Sequence, residues 1–262
     1  MNAPTPRITL QPRVPETPQL VNILHSPKRI RVKFAGQAIA DSRKVLVLRS
    51  NHFLPVYFFP RSDISDALLS ASEARGQHAL GDVTSYFDLQ LGDRRVAAAA
   101  WQFGAERQSL LAPLDGYVAF DWKKVDQWFE EDEEVFVHAR DPYARIDILH
   151  SASHVQVRLA GEVIADTHRP VLLFETHLPT RFYIPLQDIR QDRLVASDTQ
   201  TRCPYKGVAS YWSFRLPDGS IREDIAWYYP DPIAEAAKIK NLVAFYPNAV
   251  DEIRLDGVRV AP

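Results

Sequence analysis

The sequence predicts a mainly β protein made of two tandem, small antiparallel β-rich domains, each with one short helix. Three observations predict this fold class: an internal duplication, short runs in which apolar and polar residues alternate, and turn residues between those runs. The chain of 262 residues is long enough for two small domains. Its apolar fraction of 46% and charged fraction of 24% are typical of a globular protein.

The duplication is visible as a constant alignment of the chain with itself. Residues 23–64 match residues 148–189 without a gap, and the same register continues to Val118–Phe120 and Val243–Phe245. A chance resemblance does not hold one register over the length of a domain, so the chain is a repeat. We predict a flexible Pro-rich arm at 1–10, a first repeat at 11–135 and a second repeat at 136–262, with the Cys-Pro-Tyr-Lys-Gly motif in the second.

The second repeat shows the strand pattern most clearly. Apolar and polar residues alternate over 155–159, which predicts a half-buried strand. A turn separates this strand from a return strand at 163–165, so the segment predicts a β-hairpin. Short apolar runs predict further strands at 170–175, 181–185 and 242–246.

The strongest turn signal lies between strands expected at 210–216 and 221–229. In Pro217–Ser220, proline sets φ and glycine accepts a positive φ. Farther on, Asp231 and Pro232 have the residue types of a helix N-cap and first helical position. They predict a helix of about two turns at 233–239.

Composition and charge exclude several classes of function. A net charge of -2 gives no attraction to nucleic acid or to an anionic membrane. No run approaches the roughly 18 apolar residues that span a bilayer, and the first residues lack the apolar core of a signal peptide. The single cysteine, Cys203, precludes an intrachain disulfide and is typical of a reducing cytoplasm. We therefore expect a cytoplasmic protein without nucleic-acid or membrane partners.

Comparing the two repeats separates core residues from candidate site residues. Core positions should stay apolar in both repeats, whereas the residues of a functional site can be kept in only one. Glu175 aligns with Ser50, and the segment 201–207 aligns with 76–82, so the first repeat lacks the cysteine, the lysine and the glutamate. This one-sided loss predicts a single site in the second repeat.

Three side chains are the candidate catalytic residues. Cys203 is a candidate nucleophile if a nearby cation or base favours the thiolate. Lys206 beside Gly207 is a candidate contact for an anionic group, and Glu175 is a candidate general base. The alternatives are an inert buried cysteine, a surface lysine and a solvated carboxylate.

Five further residues are candidate ligand contacts: Tyr183, Tyr211, Trp212, His177 and Arg140. The aromatic residues are more typical of a core, and the preferred interpretation of Arg140 is a network with Asp141, Arg145 and Asp147 that holds the segment between the repeats in place.

His177 aligns with His52, and retention in both repeats favours a structural role. No cluster of ligand-type residues has zinc spacing, so we expect neither a metal nor a cofactor.

The run Cys203–Gly207 followed by Ala209–Trp212 resembles the domain-of-unknown-function family number 427, which is catalogued as nucleotidyltransferase-like. Three further stretches are similar: Gly161 with 164–167, Glu175 with 183–185 and Asp188, and 226–227 with 230–232. The segment 138–143, followed by Arg145 and Asp147, resembles the usual entry segment of that family. The resemblance covers the second repeat and reaches the first through the duplication. It implies small β-rich domains found singly or in tandem, without an established activity. A nucleotidyltransferase usually needs a Gly-Ser turn and paired carboxylates for magnesium and the triphosphate, and neither repeat shows that arrangement.

These observations favour a small-molecule enzyme or receptor with one site in the C-terminal repeat and an anionic ligand. The first alternative is a non-catalytic binding or scaffolding module that uses the repeat–repeat surface. It predicts a buried, inert Cys203 and no concave polar pocket. The second alternative is the nucleotidyltransferase activity that the family label suggests. The sequence leaves the ligand and the oligomeric state open.

Overall fold

A computed structural model describes residues 20–78, 80–104 and 109–260. They divide into an N-terminal unit, residues 20–142, and a C-terminal unit, residues 143–260. The predicted arm at 1–10 lies outside the described residues. Both units are built from antiparallel sheets with short helices, which confirms the predicted fold class.

The described part of the N-terminal unit contains twelve strands. They are β1 Val21–His25, β2 Ile30–Phe34, β3 Gln37–Ser42, β4 Leu46–Ser50, β5 Val56–Pro60, β6 Leu69–Ala71, β7 Gly76–His78, β8 Gly81–Leu91, β9 Arg94–Phe103, β10 Tyr117–Phe120, β11 Gln127–Glu130 and β12 Glu133–Val135.

The described part of the C-terminal unit contains eleven strands. They are β13 Ile146–His150, β14 Val155–Leu159, β15 Glu162–Thr167, β16 Val171–Glu175, β17 Arg181–Tyr183, β18 Leu194–Cys203, β19 Gly207–Arg215, β20 Ile221–Tyr228, β21 Val243–Phe245, β22 Glu252–Leu255 and β23 Val258–Arg259.

The two units share one topology. In the N-terminal unit a large sheet has the order β1-β4-β5-β10-β9-β8-β6, with β7 also paired to β8, and a smaller sheet has the order β12-β11-β2-β3. The C-terminal unit repeats this order as β13-β16-β17 and β21-β20-β19-β18, with β23-β22-β14-β15 as the smaller sheet. Ile184 and Val243 exchange backbone hydrogen bonds of 2.8 and 2.9 Å, which joins the first two sheets.

The predicted hairpins are present, and the turn residues explain them. Ala160 and Gly161 connect β14 to β15 with φ values of 50° and 78°. Two successive positive φ values are typical of a type I′ turn, which matches the twist of paired strands. The predicted turn at Pro217–Ser220 is also confirmed: Gly219 has a φ of 87°, and Leu216 N donates to Ser220 O at 2.8 Å.

The large sheet of each unit has apolar side chains on both faces. One face packs on the smaller sheet, and we call this the hairpin-side core; in the C-terminal unit it includes Val157, Phe214 and Ala226. The other face packs on a six-residue 3-10 helix, and we call this the helix-side core; Leu173 and Ile239 belong to it. Because side chains alternate along a strand, neighbouring residues of β19 enter different cores.

The predicted helix of the second repeat is shorter and differently capped than expected. It is a 3-10 helix at Ala234–Ile239, matched by Ser109–Leu114 in the N-terminal unit. The prediction that Asp231 caps it was wrong, since Ile233 occupies the N-cap position without a side-chain cap. The physical reason is that Ile233 N donates to Lys206 O at 3.1 Å, so a turn between strands fixes the start of the helix.

The remaining helices are 3-10 turns of three residues: Arg61–Asp63, Asp66–Leu68, Trp122–Lys124, Leu186–Asp188 and Gln191–Arg193. Among the described residues, none of the helices has the length and apolar character needed to cross a bilayer.

Candidate functional site

Strand β16 places a carboxylate on a face that is otherwise apolar. Val171 and Leu173 are buried in the helix-side core, and Glu175 follows them at the two-residue period of a strand. The strand ends there, because Leu178 N donates to Glu175 O at 3.0 Å and closes a turn. The Glu175 carboxylate therefore lies at the edge of the core.

Lys206 reaches the same place from the turn between β18 and β19. Lys206 N donates to Cys203 O at 3.3 Å, and Cys203 pairs with Gly207 across the hairpin. Gly207 has a φ of +105°, and a Cβ there would lie 3.3 Å from Asp231 O. Only glycine suits this conformation without strain, so the motif holds the turn in the shape that buries Lys206.

The two charges form an ion pair that is almost excluded from water. Lys206 Nζ contacts Glu175 Oε2, and the exposed fractions of the two side chains are 11% and 9%. A buried charge is costly unless it is paired, so burial holds the two side chains together. We call Lys206, Glu175 and the polar groups around them the Lys206 site.

Two buried tyrosines belong to the same helix-side core. Tyr183 accepts a hydrogen bond from Trp227 Nε1 at 3.3 Å, and Tyr229 is 4% exposed. Burial raises the pKa of both tyrosines above their usual range, and repulsion from the Glu175 carboxylate raises the pKa of each further. Both hydroxyls therefore stay protonated.

A second group of hydroxyls continues from this site. The Tyr211 hydroxyl lies 2.9 Å from Thr201 Oγ1 and 3.1 Å from the Tyr246 hydroxyl. Tyr246 packs against Trp227 with ring centroids 4.4 Å apart, and burial raises the pKa of Tyr246. Together with Tyr183 and Tyr229, these groups give the helix-side core four phenolic hydroxyls.

Glu175 connects this cluster to the surface. It belongs to the wall of a cavity of about 320 Å³ that is also lined by Arg145, Asp147, His177 and Thr180. Arg145 Nε donates to Asp147 Oδ1 at 3.0 Å, so the cavity lining also carries a pair of opposite charges. His177 has a φ of 65° and is exposed at the rim.

The N-terminal unit fills the equivalent positions with apolar or small residues. Phe58 stands where the C-terminal unit has Tyr183, and the register of the paired strands places Phe103 where Tyr229 lies. The rings of Phe58 and Phe103 stack with centroids 5.9 Å apart. By sequence alignment, Ser50 matches Glu175 and Gly81 matches Lys206.

The structure thus brings together Glu175, Lys206, Tyr183 and Tyr211 of the predicted residues, with Cys203 half-buried beside them and His177 on the cavity rim. Trp212 is elsewhere: it packs on the hairpin-side core, and its ring stacks on Tyr228 at 5.6 Å. Adjacent residues of β19 face opposite sides of the sheet, so Trp212 is not beside Tyr211.

Arg140 belongs to the N-terminal unit. Its Nη1 lies 4.0 Å from Glu130 Oε2, and Glu130 accepts a hydrogen bond from the Tyr57 hydroxyl at 2.6 Å. Asp141 accepts from Arg49 Nε at 3.0 Å. These contacts, and the Arg145–Asp147 pair of the C-terminal unit, replace the single Arg–Asp network that the sequence predicts.

Sequence reasoning missed Tyr229, Tyr246 and Thr201. The Tyr229 hydroxyl was detectable in principle, since the repeat matches it to Phe103 once a one-residue shift after the long hairpin is allowed. Thr201 and Tyr246 contact Tyr211 only through the fold, because 45 positions of chain separate the first from the last.

Comparison with known proteins gives one clear relationship. A search of curated proteins finds no match. A family model described as "Domain of unknown function (DUF427)" matches twice, over residues 22–131 and 147–256. The two matches cover most of the chain and coincide with the two repeats, so this chain belongs to the DUF427 family as a tandem duplication of its domain.

Proposed function

We propose that the C-terminal repeat binds a small molecule with an anionic group at the Lys206 site. The observation that carries this proposal is the buried Lys206–Glu175 pair at the edge of a core that also holds four tyrosines. The N-terminal repeat has no charge at either position and keeps the same topology. The fold therefore does not need the pair.

The energetics of burial support a functional reason for keeping the pair. Two charges removed from water recover their desolvation cost only with good geometry and further hydrogen bonds. Apolar residues of similar volume commonly stabilise a core as well or better, and the N-terminal unit folds without the pair, with Ser50 and Gly81 at the two positions. A polar cluster in such a place is typical of a binding or catalytic site.

The arrangement provides a mechanism for binding. The Lys206 ammonium has three donors, and an anionic ligand that enters through the cavity beside Glu175 can take the place of that carboxylate on Lys206. The protonated hydroxyls of Tyr183 and Tyr229 can donate to oxygens of the ligand. Glu175, once released from Lys206, is an acceptor for a ligand proton, which is the role of a general base.

Covalent catalysis is the finer part of the proposal, with Cys203 as nucleophile. The thiol is free and half-buried, and it lies in the turn that carries Lys206. The nucleophile in such a step is the thiolate, which is the reactive form of a cysteine. The single free cysteine also supports the expectation of a reducing, cytoplasmic location.

Thermal unfolding with a panel of carboxylates, sugar phosphates and nucleoside triphosphates tests binding. We expect an anionic compound to raise the Tm of the wild type by mass action. The Tyr229→Phe variant keeps the ring and loses the hydroxyl, so it should show a smaller shift. Arg190→Met, which removes an exposed cation paired with Asp192, is the matched control and should keep the full shift. No stabilisation by any member of the panel would contradict an anion site, and stabilisation by nucleoside triphosphates alone would favour the nucleotidyltransferase alternative.

Alkylation of Cys203 tests the catalytic part, since the chain has one thiol. Fast reaction of the native protein that slows in Lys206→Met supports an activated thiolate. Equal protection in both until denaturant is added means an inert core cysteine and would leave only the binding function. The scaffold alternative predicts a protein without a concave polar pocket, and the cavity beside Glu175 favours the binding site instead.

A further inference from the structure

A second polar cluster of the C-terminal unit lies on a different sheet, at one end of the β14–β15 hairpin. His154 precedes β14, Asp166 lies in β15 and His168 follows that strand. His154 Nε2 is 2.7 Å from Asp166 Oδ1, and the rings of His154 and His168 are nearly parallel with centroids 4.1 Å apart. One nitrogen or oxygen from each of the three side chains lies within 4.8 Å of the others.

The N-terminal repeat shows what the same backbone positions do without the histidines. Arg29 and Arg43 stand at the positions of His154 and His168, while Asp41 matches Asp166. Arg29 Nε donates to Asp41 Oδ1 at 2.7 Å, and Arg43 pairs with Glu131 at 3.1 Å. A guanidinium stays protonated and cannot ligate a metal, so this cluster can only be a set of salt bridges.

At this cluster the two repeats differ mainly in their cationic side chains. Gln156 replaces a third arginine, Arg31, so three fixed positive charges of the N-terminal repeat become two imidazoles and an amide. Two of the three carboxylates are kept, since Asp166 matches Asp41 and Asp256 matches Glu131, whereas Gly257 stands in place of Asp132, the partner of Arg31. Asp256 and Glu131 accept the same hydrogen bond from a backbone N–H, at 2.8 Å in both repeats. The C-terminal hairpin therefore offers ligand atoms to a cation at positions where the N-terminal hairpin carries guanidinium groups.

We propose that His154, Asp166 and His168 form a binding site for a divalent transition-metal ion such as Zn²⁺. Two imidazole nitrogens and a carboxylate oxygen are a ligand set that zinc, nickel and copper accept. Zinc binds such atoms at about 2.0–2.2 Å, so ligand atoms already within 4.8 Å need only a small side-chain rotation to close on one ion.

The surroundings of Asp166 support this assignment. Gln156 Nε2 donates to Asp166 Oδ2 at 2.8 Å, which leaves the other carboxylate oxygen directed to the imidazole. Hydrogen bonds that orient a ligand carboxylate are typical of metal sites. Asp166 also lies on the wall of a surface cavity of about 350 Å³, and its side chain is 48% exposed. An ion can therefore enter from solvent, and water can fill its remaining coordination positions.

The test is calorimetric titration of the full chain with ZnCl₂, repeated with NiCl₂ and with MgCl₂ as the hard-cation control. We expect one saturable zinc site, and imidazole NMR signals of two histidines that shift with the same stoichiometry. The H154R/H168R double variant restores the arginines of the N-terminal repeat and should abolish that site. Gln156→Leu keeps all three ligands and should weaken zinc binding by about 10-fold.

Two controls separate this site from other sources of binding. Cys203→Ser should bind zinc as the wild type does, because the thiol is not among the ligands. The double variant should keep the wild-type Tm without metal. If it does not fold, His168→Asn replaces it as the test, because His168 is exposed, and it should weaken zinc binding by about 10-fold or more. Absence of saturable zinc binding, binding that survives the loss of His168, or binding lost with Cys203 would each overturn the proposal.

Discussion

Removal of one partner from the Lys206–Glu175 pair should destabilise the C-terminal unit strongly. Lys206→Met keeps most of the side-chain volume and leaves Glu175, which is 9% exposed, without its cation. Breaking a buried ion pair from one side typically costs 3–5 kcal/mol, and because both side chains keep a little contact with water we expect about 3 kcal/mol. That corresponds to a shift of about 1.5 M in the urea midpoint for a small domain.

The double variant Glu175→Leu/Lys206→Met isolates the cause. It removes both charges and replaces them with apolar groups, so most of the lost free energy of unfolding should return, to within about 1 kcal/mol of the wild type. Arg190→Met is the control for losing a cation from an exposed pair and should cost less than about 1 kcal/mol.

The assay is urea unfolding with hydrogen exchange as the readout, because a chain of two units need not unfold in one step. Exchange in peptides from β16 and β19 reports on the C-terminal unit, and peptides from β4 and β8 report on the N-terminal unit. A cost of less than about 1 kcal/mol for Lys206→Met, or a double variant as unstable as Lys206→Met, would refute the claim that an unpaired buried Glu175 destabilises the unit.

Three other perturbations have defined outcomes. Hydrogen bonds from Ser72, Ala98 N and Arg95 lower the pKa of Asp88 from 3.8 to about 2. The stabilisation that ionised Asp88 contributes is therefore complete above about pH 4 and disappears as the pH falls towards 2. Asp88→Asn should cost about 1–2 kcal/mol at pH 7, and acid titrations monitored by circular dichroism should show a smaller loss of stability between pH 4 and 2. Tyr229→Phe, which installs the residue type of Phe103, should change the free energy of unfolding by less than about 1 kcal/mol; a larger loss in urea titration would mean that the hydroxyl is structural. Gly207→Ala should cost about 2 kcal/mol and reduce ligand-induced stabilisation, because the φ of +105° and the nearby Asp231 O both oppose a Cβ. Gly161→Ala is the control, since the space around its Cβ is open. It should cost about 1 kcal/mol and leave ligand-induced stabilisation unchanged.

The sequence predicts the fold well where local patterns are strong. The β14–β15 hairpin and the Pro217–Ser220 turn depend on residues close together in the chain, and the duplication is visible as a direct alignment of the chain with itself; all three are present. The helix cap was wrong because its start depends on a hydrogen bond to Lys206, far away in the sequence. Local residue types at Asp231 cannot report such a contact.

The candidate site was predictable only in part, for the same reason. Comparing the repeats at aligned positions identified Glu175 and Lys206, and the fold brings them into contact. The same comparison did not assign faces to aromatic residues, so Trp212 was grouped with Tyr211 although β19 directs them to opposite sides. The cluster of His154, Asp166 and His168 was missed because two strands and a turn bring its members together.

Because the helix-side cores of the two units match, the polar side chains of the C-terminal unit can be grafted onto the N-terminal unit. Its backbone already carries strands equivalent to β16, β17 and β20, so the polar groups can be grafted one at a time as Ser50→Glu, Phe58→Tyr and Phe103→Tyr. Gly81→Lys would add the cation. A graft that acquires the ligand preference of the C-terminal unit would demonstrate sufficiency, which no loss-of-function variant can do. The duplication thus supplies donor and recipient within a single polypeptide.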